Sequence, residues 1–282
     1  MTTSYNPAAR FEIKVWDVEF RKAPKRQLMA RVYQPQGAGP FPVLLDVHGG
    51  AWHDKDRFAN VPMCEAVAKS GVLVVAIDTT LSHEAPYPAS VQDVHYGVRW
   101  LKAKAREWKG DPSTLGVLGS SSGGHVCQLV GMRPRDARYA ALPLAEAPGL
   151  DATINYIATR SPISDCNARY EHMVKTNRPE MIKKTKMYFD PWESIFEGNP
   201  MLILERGEKV EMPPAIWVQG RPDETHDYHD PEGGFPGNEP ERFVSNYRKA
   251  GGDIEIAYFD NAARNTDVTH APVYAFMQKH VG

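Results

Sequence analysis

Residues 115–132 read LGVLGSSSGGHVCQLVGM, and this stretch decides the fold prediction. The segment 115–119 is short and apolar, which is typical of a buried strand, and 123–132 predicts a helix. The turn between them carries three consecutive serines, Ser120, Ser121 and Ser122. The spacing Gly-x-Ser-x-Gly selects Ser121 as the central residue of a strand-to-helix turn.

The two glycines of this motif have a steric role. A turn this sharp forces its central residue into an unfavourable backbone conformation, and side chains two positions away on either side would clash. The hydroxyl of Ser121 would then project from the sheet, with a helix N-terminus behind it that favours nearby negative charge. The same pattern also fits an ordinary Gly/Ser-rich turn or a phosphate-binding loop, so the motif alone leaves these interpretations open.

Apolar patterning predicts eight strands in all. The alternating segments 11–20 and 27–35 indicate a half-buried antiparallel pair. Six later segments are continuously apolar, as in parallel strands covered on both faces: 42–48, 72–78, 115–119, 154–159, 215–220 and 254–259. Helical patterns such as 89–107 and 240–252 separate several of them. We therefore predict an α/β fold in which an eight-stranded, mostly parallel sheet has helices on both faces.

The 282 residues are enough for one large domain, and we predict a single domain over 1–282. The stretch 160–213 is too long for a connecting loop and is rich in Met, Lys and aromatic residues. We interpret it as a helical cap or lid inserted within that domain. Aromatic side chains at Trp52, Tyr188 and Trp192 are candidates for substrate contacts, although such residues also commonly form plain core.

Composition narrows the class of protein. Apolar residues make up 42% of the chain. The 33 basic residues are balanced by 35 acidic ones, so the sequence does not indicate the concentrated basic surface that nucleic-acid-binding proteins use. The longest apolar run, 72–77, is too short to cross a membrane, and the first residues lack a signal-peptide core. Three cysteines at unrelated spacings indicate neither a disulfide framework nor a zinc site. We expect a cytoplasmic protein, compatible with a homodimer, that binds a small molecule and needs no cofactor or metal.

A second glycine motif, DVHGGAWHDK at 46–55, follows the third predicted strand. Its two glycines allow backbone N–H groups to turn inward with no side chain in the way. Acyl transfer needs such donors because negative charge develops on the former carbonyl oxygen. We predict an oxyanion hole formed by the N–H groups of Gly49, Gly50 and Ser122; a tight turn is the alternative for an isolated HGG.

The order and spacing of HGGAW and APYPASVQDVHYGVRWLKAKAREWKGDPSTLGVLGSSSGGH within 42–128 resemble a known family. These motifs are similar to those of the α/β-hydrolases, in the hormone-sensitive-lipase-like and feruloyl- and acetyl-esterase-like branch. The resemblance implies an α/β-hydrolase fold, a Ser-Asp-His triad and a carboxylesterase that cleaves small acyl or aryl esters through an acyl-enzyme. In this fold the acid follows the nucleophile along the chain and the histidine comes last.

The remaining triad members are sought after Ser121. The stretch IWVQGRPDETHDYHD supplies the acid: Asp223 lies where family members carry the carboxylate, with Glu224 and Asp227 as alternatives. After the last predicted strand the chain offers two histidines, and we predict His270, in a loop before a terminal helix, over His280 near the chain end. The segment HDYHD at 226–230 is compatible with a metal site, but we interpret it as a polar loop that carries the acid.

Three functions stay open at this point. Besides an esterase, the same triad serves amide hydrolases such as arylformamidases of this fold, which also use H-G-G-x-W. A non-catalytic binding protein on a hydrolase scaffold is the third. Such proteins typically lose the serine or the histidine, whereas this chain retains candidates for all three positions, so we favour an enzyme. We expect His48, His53 and His125 to be structural.

Overall fold

The computed structural model describes residues 5–231 and 233–281. Its strands are β1 (Ile13–Lys22), β2 (Gln27–Pro35), β3 (Val43–Val47), β4 (Leu73–Ile77), β5 (Gly116–Ser120), β6 (Ile157–Arg160), β7 (Ala215–Arg221) and β8 (Ile254–Asp260). Its α-helices are α1 (Val61–Lys69), α2 (Ala89–Lys104), α3 (Ser122–Met132), α4 (Cys166–Lys175), α5 (Pro179–Tyr188), α6 (Ser194–Glu197), α7 (Pro200–Glu205), α8 (Glu239–Lys249) and α9 (Asp267–Val281).

The eight strands form one sheet in the order β1-β2-β4-β3-β5-β6-β7-β8. β1 pairs antiparallel with β2, and β2 pairs antiparallel with β4, whereas all later neighbours are parallel. The residues of β3, β4 and β5 are all buried, while those of β1 alternate in exposure. The predicted fold class, an eight-stranded mostly parallel sheet between helices, is confirmed.

Successive side chains of the central strands enter cores on opposite faces of the sheet, as the period of two requires. In β3, Leu45 packs into the core beneath α2, α3 and α8, whereas Leu44 packs into the core beneath α1 and α9. In β5, Val117 packs into the same core as Leu45, and Leu118 packs into the same core as Leu44. The carboxyl ends of the parallel strands therefore meet at one edge, where β5, β6 and β7 deliver their following loops.

Helices α4 to α7 lie between β6 and β7, within the stretch interpreted as an insertion. α4 begins where the carboxylate of Asp165 accepts a hydrogen bond from the N–H of Ala168 (2.9 Å). α7 begins in the same way at Asn199, whose side chain accepts from the N–H of Leu202 (3.2 Å). Within the described ranges no helix has the length and apolar character needed to cross a membrane.

Candidate active site

Ser121 is the single residue between β5 and α3, and its backbone is strained. It has φ 53° and ψ −119°, a conformation that costs free energy for any residue with a side chain. A Cβ added at Gly119 would come within 2.5 Å of the carbonyl oxygen of Gly123, and one at Gly123 within 2.2 Å of that of Val47. The sequence prediction of a sharp turn that requires glycine on both sides is confirmed.

The Ser121 side chain lies against an imidazole. Oγ of Ser121 is 2.8 Å from Nε2 of His226. Nδ1 of the same ring is 2.9 Å and 3.0 Å from the two carboxylate oxygens of Asp223. Because a carboxylate can only accept, Nδ1 carries the proton and Nε2 is free to accept from the serine hydroxyl.

Asp223 and His226 belong to one tight turn that follows β7. Oδ1 of Asp223 accepts from the backbone N–H groups of Thr225 (3.1 Å) and His226 (3.2 Å). Its carbonyl oxygen accepts from the N–H of Asp227 (2.8 Å). The side chain of Asp223 therefore both folds the turn and orients the ring that the turn carries.

The alternative acids point elsewhere. Glu224 forms an ion pair with Arg178 (3.1 Å), and its carboxylate is largely exposed. Asp227 pairs with Arg221 (2.5 Å). Of the three candidates, Asp223 is the one whose carboxylate contacts an imidazole at Ser121.

Electrostatics favour a neutral imidazole beside an ionised carboxylate. Burial lowers the pKa of His226 below its ordinary 6.5, and the hydrogen bond and negative charge of Asp223 only partly offset this. Burial by itself would raise the pKa of Asp223, but its hydrogen bond and charge interaction with His226, with two backbone N–H groups, lower it below 3.8. At neutral pH the ring is ready to accept a proton.

His270, the histidine predicted to contact Ser121, lies in a different place, and that prediction is wrong. The side chain is buried inside α9 rather than held in a loop before it, because the helix begins three residues earlier, at Asp267. It lines a small cavity with Met63 of α1 and Val273 of α9. Its Nε2 has no hydrogen-bond partner among the described residues. His226 also follows the acid in the chain, so the order of the fold is kept.

The predicted oxyanion loop lies directly against the serine. A Cβ added at Gly49 would be 2.9 Å from the carbonyl oxygen of Ser120 and 3.1 Å from Cβ of Ser121, so a larger residue would require this backbone to move. Gly50 has φ +110°, which L side chains rarely adopt. Neither the N–H of Gly50 nor that of Ser122 donates to a residue in the described part of the chain. This arrangement is compatible with the oxyanion-hole prediction for Gly49, Gly50 and Ser122, which stays a prediction.

Two of the three aromatic residues predicted to contact substrate are core residues. Trp52 and Tyr188 stack at 4.6 Å with nearly parallel rings, and both side chains are buried. Their polar atoms are also used: Nε1 of Trp52 donates to His125 (3.1 Å), and Tyr188 bonds Ser90 (2.8 Å). Neither ring presents a face to a ligand, contrary to the prediction. Trp192 packs on Tyr170 at 4.6 Å.

The histidines expected to be structural make local contacts. Nδ1 of His48 donates to the carbonyl oxygen of Gly49 (2.7 Å) and so braces the glycine loop. His125 is buried in α3, where Nε2 donates to the carbonyl oxygen of Gly198 (2.7 Å). In the polar loop 226–230, His229 donates to the carbonyl oxygen of Gly237 (3.0 Å). Across residues 5–231 and 233–281, no three His, Cys, Asp or Glu side chains are grouped so as to hold a metal ion.

Comparison with known proteins identifies the family of this chain. A family model described as BD-FAE matches residues 31–229, which is more than half of the chain. The chain belongs to the BD-FAE family. The part of this BD-FAE protein that matches includes Ser121, Asp223 and His226, and ends before His270.

Curated proteins similar to this BD-FAE chain include esterases of Mycobacterium tuberculosis. Carboxylesterase NlhH is 35% identical over 108 residues, which are 38% of this chain and 34% of that protein. Carboxylic ester hydrolase LipN is 31% identical over 140 residues, or 49% of this chain and 37% of that protein. The chain therefore spans about a third of the length of these two relatives.

Solved structures share the fold over nearly the whole BD-FAE chain. An esterase from Pyrobaculum calidifontis superposes with a TM-score of 0.74 at 18% identity, covering 96% of this chain and 88% of that one. A truncated carbohydrate esterase from gut microbiota gives a TM-score of 0.75 at 16% identity, covering 97% and 98%. The resemblance to α/β-hydrolases stated from the motifs is confirmed at the level of the fold.

Proposed function

We propose that this protein is a serine hydrolase that cleaves carboxylic esters of small acyl or aryl groups. The observation that carries the proposal is the continuous chain of contacts from Oγ of Ser121 through the His226 ring to the carboxylate of Asp223. The esterase names of the curated relatives support the reaction type. The fold and the family membership agree with it.

Acylation follows from these contacts. Ser121 loses its hydroxyl proton to Nε2 of His226 while its oxygen attacks the carbonyl carbon of the ester. Asp223 stabilises the imidazolium that forms. The carbonyl oxygen becomes an oxyanion, for which the N–H groups of Gly49, Gly50 and Ser122 are the proposed donors. The tetrahedral intermediate then expels the alcohol, which takes its proton from Nε2, and an acyl ester of Ser121 is left.

Deacylation repeats the same proton transfers with water. His226 takes a proton from a water molecule, whose oxygen attacks the acyl carbonyl carbon. The second tetrahedral intermediate breaks its bond to Oγ of Ser121, which recovers its proton from Nε2. The carboxylic acid product leaves, and the triad is restored. We also propose that α4 to α7 act as the cap over this site.

The proposal is tested with a fluorophosphonate probe and peptide mapping. We expect covalent labelling at Ser121 alone, no labelling in Ser121→Ala and strongly reduced labelling in His226→Ala. kcat for an aryl acetate should fall by roughly 10⁴- to 10⁶-fold in both variants, as for other triad knockouts.

His270→Ala is the matched control, because it removes a buried imidazole that does not contact Ser121. We expect this variant to keep its labelling even if its stability falls. Labelling at Ser120 or Ser122, or loss of labelling in His270→Ala with retention in His226→Ala, would overturn the assignment.

Ester and amide hydrolysis are separated by parallel assays on matched aryl acetates and N-formyl anilides. We expect the wild-type protein to cleave the acetate with the higher kcat/KM. Faster cleavage of the anilide would identify an amide hydrolase with the same triad.

A further inference from the structure

Arg169 of α4 carries a guanidinium that is buried in the protein. Its side chain is 2% exposed, and within the described residues it forms no ion pair. Among the residues that the structure describes, Nε and Nη1 have no hydrogen-bond partner, Nη2 reaches the sulfur of Met181 at 3.7 Å, and the guanidinium carbon lies 5.9 Å from the ring centroid of Trp52. Burying an unpaired charge is energetically unfavourable, so a position that keeps one is a candidate for a functional role.

A small cavity lies between Arg169 and the proposed base. Arg169 and His226 line the same small cavity, together with Thr225, Tyr228 and Glu239. This cavity has room for about one water molecule, so little solvent separates the two cations that Arg169 and a protonated His226 would form.

α4 holds this arrangement in place. The ring of His172, one turn further along the helix, stacks on Tyr228 at 4.2 Å. Nε2 of His172 donates to the carbonyl oxygen of Glu224 (2.9 Å). The helix that carries Arg169 is therefore fixed to the loop that carries Asp223 and His226.

The groups that face His226 divide by charge. Asp223, in the same turn, favours the imidazolium, whereas Arg169 from α4 and the exposed Arg264 after β8 oppose it. Glu239 of α8 gives little negative charge at neutral pH, because burial raises its pKa to about 8. Burial also keeps Tyr228 neutral. Arg169 is thus the one fully buried charge in this set that acts against Asp223.

We propose that Arg169 is a positioning residue whose buried guanidinium, fixed across the cavity from His226, keeps the imidazole in the neutral form that accepts the serine proton. The inference rests on the proposed function, since it assigns His226 the role of base. Asp223 orients the ring and strengthens it as a base, while the charge of Arg169 adds to burial in opposing protonation of the ring.

The test is the pH dependence of kcat/KM for a neutral aryl acetate in wild type, Arg169→Met and Arg169→Lys. Loss of the charge in Arg169→Met should move the acid-side midpoint upward, toward the ordinary imidazole value of 6.5. Arg169→Lys keeps the charge and should stay close to wild type. Arg178→Ala removes an exposed cation beside the same loop and should leave the midpoint unchanged. If Arg169→Met does not fold, Arg169→Gln replaces it with the same expectation.

Two results would overturn this inference while leaving the esterase proposal intact. One is an unchanged midpoint in a folded, active Arg169→Met, which would make Arg169 a packing residue. The other is an unchanged midpoint with a raised KM for a hemisuccinate aryl ester alone, which would make Arg169 a binding group for substrate carboxylates. Failure of the esterase proposal itself is visible separately, as absence of fluorophosphonate labelling in the wild-type protein.

Discussion

Asp223 and His226 are three residues apart, yet they share one hydrogen-bonded unit with Ser121, which lies 105 residues before His226 in the chain. The backbone N–H of His226 and its ring Nδ1 both bond the carboxylate of Asp223. A single side chain therefore determines the shape of the turn and the tautomer of the base. Replacement of Asp223 would disturb both.

The protonation state of His226 leads to a prediction about pH. We expect kcat/KM for a neutral ester to be constant above about pH 7 and to fall on the acid side with a midpoint below 6.5, because burial lowers the pKa of this imidazole and the imidazolium cannot accept the serine proton. The carboxyl of Asp223, whose pKa lies below 3.8, stays ionised through this range. A pH–rate profile with a midpoint above 6.5 would contradict the assignment.

The close approach at Gly123 leads to a second prediction. Gly123→Ala would place a Cβ 2.2 Å from a backbone oxygen, which the backbone must move to accommodate, so we expect a loss of unfolding free energy of about 3 kcal/mol or more together with loss of activity. Gly149→Ala is the control, because a Cβ there meets no atom within 4 Å. Chemical denaturation of both variants measures the difference, and equal stabilities would contradict the steric account.

At the scale of elements, Asp165 joins three of them. Its carboxylate accepts from the N–H of Ala168 at the start of α4 and from the side chain of Asn199 at the start of α7 (2.9 Å each), and it pairs with Arg242 of α8 (3.3 Å). The loop after β6 is thereby tied to α4, to α7 and to the helix before β8.

Asp165→Ala should lower the unfolding free energy by about 2–4 kcal/mol, because it removes a helix cap and leaves the buried amide of Asn199 without its acceptor. Asp165→Asn keeps an acceptor oxygen and should lose less. Denaturation curves for the two variants give the comparison, and an Asn variant as unstable as the Ala variant would contradict the capping role.

Strands and helices with a clear pattern of apolar residues were predictable from the sequence, whereas the placement of side chains in the polar loops was not. The apolar run over 72–78 contains all of β4, and the turn at Ser121 follows from its glycines. The base was missed because "DETHD" looks like a solvated loop, and nothing in its composition shows that the ring of His226 folds back onto Asp223. An aspartate that can cap a turn three residues before a histidine is the signal that was present.

The helix boundary at α9 caused the complementary error. His270 was assigned to a loop because an apolar stretch follows it, but Asp267 begins the helix and carries His270 into the core. Trp52 and Tyr188 were also misplaced from the sequence, because an aromatic side chain is as suitable for a pocket wall as for a core. Only the stacked contact between residues far apart in sequence distinguishes the two.

At the scale of the whole molecule, the centre of the sheet contains an acid, Asp46 of β3. Its carboxylate accepts from Nδ2 of Asn60 (3.0 Å), and Oδ1 of Asn60 accepts in turn from Arg160 of β6 (3.2 Å). Burial raises the pKa of Asp46 to about 6 despite these bonds. The folded protein therefore holds this proton more tightly than the unfolded chain, whose aspartates titrate near 3.8.

The raised pKa of Asp46 makes the stability of the protein depend on pH. As pH rises from about 4 to 6, the unfolded chain releases the Asp46 proton while the folded protein retains it. The unfolding free energy therefore falls across this range, and the loss is complete above about pH 6. Asp46→Asn has no carboxyl group to titrate at this position. The unfolding free energy of the variant minus that of wild type should therefore increase by about 2–3 kcal/mol from pH 4 to pH 7.5. Urea denaturation at both values measures it, and a difference that does not change with pH would contradict it.

The single turn that holds both Asp223 and His226 has a mechanical consequence. Because one turn carries both residues, any displacement of the segment after β7 would move the acid and the base together, with the bond between them intact. Such a displacement would inactivate Ser121 completely, and its reversal would restore reactivity without re-forming the hydrogen bond between Asp223 and His226.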